Sequence, residues 1–182
     1  MTHKSTFTPA LLFTGIIVSN SISLNEIYPI LESHFNNTIG QISKTFPFSH
    51  SNYYESEMGP DLQRVFLSFK TPICPSTGYR YKLLAHDIES RYCDGASRRI
   101  NIDPGILSLH NLILFSTKNY AHRIACQDGI FAELTCKFSS KTMIPLEWTY
   151  PDFKLPAIED FFLSIRQDYH HHLKENYDSV YS

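Results

Sequence analysis

Residues 98–133 carry most of the side chains in this chain that could do chemistry. Charged and amide groups stand there between apolar runs that are typical of buried strands. The polar members of this stretch are Arg98, Arg99, Asn101, Asp103, Thr117, Lys118, His122, Arg123 and Glu133. Because a polar group beside a hydrophobic core needs a hydrogen-bond partner, this density indicates either a ligand site or an internal hydrogen-bond network.

A hairpin predicted over residues 122–138 brings a histidine next to a glutamate. If Asp128 and Gly129 are its two turn residues, His122 and Glu133 share one face as diagonal neighbours, roughly 7–8 Å apart at Cα. A carboxylate beside an imidazole holds its tautomer and raises its basicity, so we predict His122 as the proton-transfer group and Glu133 as its orienting partner. The alternative is a polar pair on a solvated face. A turn longer by one residue would place the two side chains on opposite faces.

Other polar side chains could bind the negative charge and the polar edges of a ligand. Arg99, Asn101 and Asp103 point to one face of a strand predicted at residues 98–103. Lys118 and Arg123 follow the end of an apolar strand, where they could bind a phosphate or a carboxylate. The alternatives are an ordinary solvent face for the strand and, for Asp103, the start of a turn, since a proline and a glycine follow it.

Residues 46–61 form a predicted loop rich in aromatic and acidic side chains. Tyr54 could cover a ligand by stacking on its ring, and Glu57 could accept a hydrogen bond from it. A loop folded back over the core through its aromatic side chains is the alternative. Neither of the two glycine-rich nucleotide-binding motifs occurs in the sequence, so no P-loop or dinucleotide site is predicted.

The sequence predicts no cofactor and no metal ion. His170, His171 and His172 are adjacent on a predicted helix, where successive side chains project about 100° apart and do not converge on one ion. The four cysteines, at positions 74, 93, 126 and 136, include no Cys-x-x-Cys pair. We therefore predict reduced, buried thiols in a cytoplasmic protein.

The composition is typical of one globular domain. Hydrophobic residues make up 42% and charged residues 19% of the 182-residue chain, and the formal charge is −2. This near-neutral balance argues against a wide surface for duplex DNA. The apolar run LLFTGIIV at residues 11–18 is too short to span a bilayer. We predict a single domain over residues 1–182, with polar tails at about 1–8 and 175–182, and no membrane association.

The periodicity of apolar residues predicts a mixture of helices and strands. Strands are predicted at about residues 10–19, 39–46, 64–70, 98–103 and 111–117, and helices from about residue 23 and at 78–93. A turn is predicted at 103–105, and a last helix begins at Pro156, after the hairpin. This order predicts an α+β fold, with a ferredoxin-like β-α-β-β-α-β core extended by a C-terminal β-hairpin and a final helix.

Five blocks of the sequence resemble one known family. They are FPFSHSNYYESEMGPDLQRVFLSF, RRINIDPGILSL, LILFSTKNYAHRI, GIFAELT and PLEWTYPDF. They resemble the bacterial and archaeal family known as domain of unknown function 4416, with similarity from about residue 11 to the final helix. The resemblance implies a single soluble cytoplasmic domain, and it implies no catalytic residues because the family has no established activity. The chain departs from the family pattern at Ile106 and Cys126, where aromatic residues are expected.

Two functions are compatible with these features. The leading hypothesis is a site for an anionic or nucleotide-like small molecule, with charge bound by Arg99, Lys118 and Arg123. If the protein is an enzyme, the histidine–glutamate pair would carry out the acid–base chemistry. The alternative is a non-enzymatic module that binds RNA or protein, on the analogy of other ferredoxin-like sheets. The sequence predicts neither a substrate nor an oligomeric state.

Overall fold

The computed structural model describes residues 6–48, 54–95 and 97–177. The helices are α1 (Leu24–Phe35), α2 (Glu55–Met58), α3 (Arg80–Arg91) and α4 (Pro156–Asn176), with 3₁₀ turns at Pro75–Thr77 and Pro151–Lys154. The strands are β1 (Leu11–Val18), β2 (Ile39–Ile42), β3 (Phe46–Pro47), β4 (Gln63–Phe69), β5 (Cys93–Asp94), β6 (Ser97–Arg98), β7 (Ile100–Leu107), β8 (Asn111–Ser116), β9 (Arg123–Ala125), β10 (Phe131–Ser139) and β11 (Thr142–Pro145). The predicted α+β class is confirmed.

Nine of these strands form one antiparallel sheet. Its order is β11-β10-β8-β7-β1-β4-β2, while β3 pairs with β4 and β9 pairs with β10. β5 and β6 form a separate two-stranded ribbon. The C-terminal strands β8, β10 and β11 therefore extend the sheet beyond β7, on the side away from β1.

Helices cover both faces of the sheet, and the central strand β1 is buried throughout. Leu12 and Ile16 face a core that they share with α1 and α3, whereas Leu11 and Phe13 face a second core with α4. In that second core the ring of Phe162 packs edge-on against Phe13, with the centroids 5.1 Å apart. Burial on both faces explains why β1 has an apolar run rather than an alternating pattern.

The turn predicted at residues 103–105 is wrong, because β7 continues through Asp103, Pro104 and Gly105. These residues pair with β1, where Asp103 lies opposite Gly15. β8 pairs with β7 only from Gly105 onward, so among the described strands Pro104 has no neighbour on that side. A proline is tolerated at such an open edge. The two strands separate at this point, which leaves room for a cavity between them.

The hairpin turns at the predicted residues but in a different register. Asp128 and Gly129 both have positive φ, as a tight hairpin turn requires. The N–H of residue 126 donates to the carbonyl of residue 130, so Gln127 is an extra residue before the turn. Glu133 therefore lies directly opposite Arg123. The predicted register is wrong by one residue. His122 and Glu133 are nevertheless in contact, because His122 precedes β9 and its ring reaches Glu133 at 3.1 Å.

Three further predictions differ from the structure or extend beyond its described residues. Cys74, Cys93 and Cys126 are exposed and only Cys136 is buried, because the first three lie at a turn, in the small ribbon and at the hairpin end. The predicted loop at 46–61 contains β3 and the one-turn helix α2. The predicted terminal tails include residues 1–5 and 178–182, which lie outside the described residues, and α4 continues to residue 176.

Candidate functional site

A cavity of about 370 Å³ opens where β7 and β8 separate. β7 supplies one wall of this cavity, the end of β8 and the following residues supply another, and the hairpin β9–β10 supplies a third. The sequence-predicted residues that line it are Tyr54, Asn101, Asp103, Lys118, Arg123 and Glu133. The fold thus collects side chains from separate segments in one hollow.

Three cations that sequence analysis did not assign to the site also line the cavity. Arg64 comes from β4, Lys82 from α3 and Arg98 from β6. Each has a feature in the sequence that is compatible with a place in the site. Arg64 is a charge inside an apolar strand, Lys82 has helical spacing to the buried Ala85, and Arg98 directly precedes Arg99, the residue predicted in its place.

Asp103 is the acceptor at the centre of one group of charges. Lys82 Nζ donates to its Oδ1 at 3.2 Å, Asn101 Nδ2 donates to its Oδ2 at 2.7 Å, and Arg64 Nη1 lies 3.6 Å from the same Oδ2. Burial favours the neutral acid, but Lys82 and Arg64 outweigh it and hold the pKa of Asp103 below its ordinary value. Asp103 is therefore a carboxylate at neutral pH.

Arg64 reaches Asp103 across β1, which lies between β4 and β7. This is possible because Gly15, the β1 residue opposite Asp103, has no side chain. The Arg64 guanidinium lies over the Phe66 ring, 4.5 Å from the centroid, and its Nε is 2.9 Å from Asp152 Oδ2. A Cβ on Gly15 would lie 2.6 Å from Arg64 Nη2. The side chain is 4% exposed, and its Nε and Nη1 make no well-aligned hydrogen bond within the described residues. Gly15 thus serves a close approach of a buried charge to the backbone.

Glu133 holds a second group of charges on the hairpin side. Arg123 Nε donates to Glu133 Oε2 at 2.7 Å, and His122 Nε2 lies 3.1 Å from the same oxygen. Arg123 Nη1 and Nη2 extend the group, since they donate to the Lys118 carbonyl at 2.9 Å and to Tyr150 Oη at 3.0 Å. The hairpin register makes Arg123 the direct partner of Glu133, and His122, which precedes β9, shares that oxygen.

His122 lies at the edge of this group and is not among the residues that line the cavity. Its ring stacks on Trp148, with centroids 4.8 Å apart and planes within 10° of parallel. Trp148 Nε1 donates to the Leu134 carbonyl at 2.7 Å, which anchors the indole beside β10. The imidazole is therefore fixed on two sides, by a carboxylate and by an aromatic plane.

Glu57 contacts the site through Arg98. Arg98 Nε and Nη2 donate to the two carboxylate oxygens of Glu57 at 2.6 and 2.9 Å, and Nη1 donates to Asn101 Oδ1 at 2.9 Å. These hydrogen bonds from Arg98 lower the pKa of Glu57, so Glu57 is charged at neutral pH. Arg99 does not join the cavity, since it pairs at the surface with Asp94 at 2.8 Å.

The family model described as "Domain of unknown function (DUF4416)" matches residues 8–169. The chain belongs to this family. The resemblance seen in the sequence blocks is thereby confirmed. No curated protein and no solved structure matches the chain.

The matched region of this DUF4416 chain includes every residue that lines the cavity. Five of these residues are cations, namely Arg64, Lys82, Arg98, Lys118 and Arg123, and three are carboxylates, namely Asp103, Glu133 and Asp152. Burial raises the pKa of Tyr54 and Tyr150, and the nearby carboxylates of Asp103 and Glu133 add to the effect. Both phenols therefore keep their protons at neutral pH and can donate hydrogen bonds.

In the described part of the chain, no three or more His, Cys, Asp or Glu side chains are arranged to hold a metal ion. Among the described helices, none combines the length and the apolar character needed to cross a bilayer.

Proposed function

We propose that the cavity between β7 and β8 binds a small anionic molecule through a phosphate or carboxylate group. The observation that carries this proposal is the balance of donors and acceptors in its lining. Each oxygen of Asp103, Asp152 and Glu133 already has a donor or a cation of the protein beside it. The lining offers more cations than carboxylates, so a ligand that supplies acceptor oxygens fits it better than a ligand that supplies positive charge.

The size and the apolar part of the lining favour an organic anion over a bare inorganic one. A volume of about 370 Å³ falls in the usual range of small-molecule sites. Phe48, Tyr54 and Phe115 present rings to the cavity, and Ile17 and Leu114 add aliphatic surface. These side chains suit a ring or a short hydrocarbon attached to the anionic group, as in a nucleotide-like molecule.

A thermal-shift screen of phosphorylated and carboxylated metabolites tests the proposal. A compound present at about 100 times its dissociation constant should raise the melting temperature by roughly 5–10 °C, because it binds only the folded state. Lys118→Gln should weaken the binding of that compound about threefold to tenfold, as expected for the loss of one charged contact. The matched control Lys137→Gln removes the same charge from an exposed position outside the cavity and should leave binding unchanged. A screen without a stabilising anion, or equal weakening in both variants, would contradict the proposal.

Proton transfer by His122, with Glu133 orienting it, is the narrower part of the proposal. Because Nε2 lies against Glu133, Nδ1 is the ring nitrogen through which His122 would exchange a proton with a ligand. Binding of an identified anion should then shift the ring NMR signals of His122. The signals of His110 should stay unchanged, since His110 lies in the turn at the opposite end of the paired part of β7 and β8 and does not line the cavity. Unshifted His122 signals at saturation would refute a role in chemistry.

RNA binding is the alternative function, and one surface feature favours it. The rings of Tyr120, His122 and Trp148 follow one another, and Tyr120 is 67% exposed. Successive aromatic rings beside cations are a stacking platform for single-stranded bases. Retention of RNA on a filter at low salt, weakened by Tyr120→Ala, would support this function, and absence of retention would exclude it.

We also propose a ferredoxin-like core and a cytoplasmic location. The order β7-β1-β4-β2, with antiparallel neighbours and with α1 and α3 sharing one core, supports the first. The free, exposed thiols support a reducing compartment. Alkylation of whole cells before lysis would test the location, since oxidised thiols would contradict it.

A further inference from the structure

The ion pairs around the cavity differ in how readily a ligand could replace one partner. Arg64 and Asp152 are each 4% exposed, and Arg123 and Glu133 are 7% and 1% exposed. Arg98 and Glu57, in contrast, are 25% and 31% exposed. Separating a buried pair leaves a charge without water, whereas water can solvate the partners of an exposed pair. Of these pairs, the one between Arg98 and Glu57 is therefore the cheapest to open.

The Glu57 carboxylate has the shape of the group that the ligand is proposed to bring. Its two oxygens accept two parallel hydrogen bonds from Arg98, at 2.6 and 2.9 Å. A phosphate or a carboxylate offers the same pair of oxygens to a guanidinium. An incoming oxyanion could thus take over both hydrogen bonds without any change in the position of Arg98.

Arg98 would keep its place during this exchange because other residues hold it. Its Nη1 donates to Asn101 Oδ1 at 2.9 Å and lies 3.7 Å from Glu89 Oε2. Glu89 is itself buried and fixed by the N–H of Ile102, which donates to it at 2.6 Å. The guanidinium therefore stays at the cavity wall when Glu57 leaves.

Glu57 stands on an element that can transmit its movement to the cavity. Helix α2 has a single turn, and Tyr54, immediately before it, lines the cavity. Tyr54 packs edge-on against Phe48, with ring centroids 5.8 Å apart, and Phe48 lines the cavity as well. The positive charge of Lys118 also acts on the Glu57 carboxylate and lowers its pKa. The position of that carboxylate is thus favourable for a negative charge from more than one side.

We propose that the Glu57 carboxylate occupies the subsite of the ligand's oxyanion on Arg98, and that the ligand binds by displacing Glu57. The inference rests on the proposed function, and it adds the residue that receives the anion and an internal competitor that tunes affinity. Helix α2 would be released from Arg98 in the bound state, and the ligand would replace one carboxylate by another oxyanion.

Titration with inorganic phosphate, followed by ³¹P NMR at constant ionic strength, tests the displacement. Glu57→Gln keeps the shape of the side chain but removes the competing charge. It should tighten phosphate binding about fivefold, which corresponds to roughly 1 kcal/mol, the upper value for an exposed pair. The matched control Asp94→Asn removes a carboxylate from the Arg99 pair outside the cavity and should leave phosphate binding unchanged. Arg98→Lys keeps the charge but loses the paired hydrogen bonds, so it should weaken binding about tenfold.

The outcomes separate the two proposals. Suppose that the wild-type protein binds phosphate, that Lys118→Gln weakens this binding, and that Glu57→Gln and Arg98→Lys leave it unchanged. Displacement is then refuted, and the proposed anion site stands. Weaker binding by Glu57→Gln would also refute displacement, because Glu57 would then be a ligand contact. If phosphate binds to none of these proteins, displacement is refuted, and the metabolite screen alone decides the function. Melting curves of each variant show that the comparison is made between folded proteins.

Discussion

Replacement of Asp103 by asparagine disturbs the charges of the cavity at one atom. Asp103 Oδ1 accepts from Lys82 at 3.2 Å and Oδ2 accepts from Asn101 at 2.7 Å, with Arg64 Nη1 3.6 Å from Oδ2. Asparagine has the same shape, but one of its two positions is an NH₂ group. In either orientation of the amide a donor faces another donor, and the two cations lose a shared negative charge.

The expected cost is a fall of about 2–4 kcal/mol in the free energy of unfolding at pH 7. Removal of one partner from a fully buried pair costs roughly 3–5 kcal/mol. The Asp103 side chain is 27% exposed, so water solvates part of the uncompensated charge and reduces the cost. The matched control Asp94→Asn opens the surface pair with Arg99, 2.8 Å apart, and should cost no more than about 1 kcal/mol.

Urea unfolding at a series of pH values measures this effect and its cause. The pKa of Asp103 is lower in the folded protein than in the unfolded chain, because Lys82 and Arg64 outweigh the effect of burial. Its charge therefore stabilises the fold above the pKa of the unfolded chain, and this stabilisation is lost as the pH falls through the folded-state pKa. The difference in unfolding free energy between wild type and Asp103→Asn should be largest near pH 7 and shrink below about pH 4.

Two results would refute this reasoning. A difference that stays constant as the pH falls into the strongly acidic range would show that the charge of Asp103 does not stabilise the fold. A cost equal to that of Asp94→Asn would show that water screens the cavity as fully as it screens the surface.

The remaining predictions concern packing and thiol reactivity. Gly15→Ala should destabilise the protein by about 1–3 kcal/mol, because its Cβ would lie 2.6 Å from Arg64 Nη2; a higher melting temperature would show that the guanidinium can move away. Phe162→Ala should cost about 3–5 kcal/mol in calorimetry, since the ring is fully buried against four other phenylalanines, and a cost under about 1 kcal/mol would contradict the described core. Three thiols should react at once with a disulfide reagent in the native protein, while Cys136 reacts only on unfolding, because it is buried and burial raises its pKa to about 12. Four thiols that react at the same rate would contradict this placement.

The charges of the cavity divide into a fixed part and an exchangeable part. Arg64 is buried with Asp152, and Lys82 is buried with Glu89. Asp103 is 27% exposed but is held in place by hydrogen bonds that it accepts from Lys82 and Asn101. Such groups set the electrostatic potential of the cavity without moving. Arg98 and Glu57 remain accessible to water. If the displacement proposal holds, affinity is tuned at this exchangeable pair, while the buried pairs keep the cavity in shape.

The elements of the fold were largely predictable because their signals are local. The alternation of apolar residues in β4, the apolar run of β1 and the stripe of α4 each depend on residues close together in sequence. The turn predicted at Pro104 shows the limit of such signals. A proline and a glycine favour a turn locally, but pairing with β1 along the whole of β7 outweighs that preference, and the open edge beside β8 tolerates the proline.

The candidate site was predictable where its residues are close in sequence and hidden where they are not. Asn101, Asp103 and Glu133 belong to one polar stretch and were assigned from it. Arg64 and Lys82 were missed, because nothing in a strand or a helix by itself shows which distant carboxylate its charge will meet.

The sequence by itself determined the family, the α+β class and the stretch that supplies much of the cavity, because these depend on residue type and local periodicity. Only the tertiary structure decided which charges meet. A hairpin register that shifts by one residue makes Arg123 the partner of Glu133, and a glycine in β1 admits Arg64 to Asp103. Contacts of this kind depend on ångström-scale distances between segments far apart in the chain, and only the packing of the sheet sets those distances.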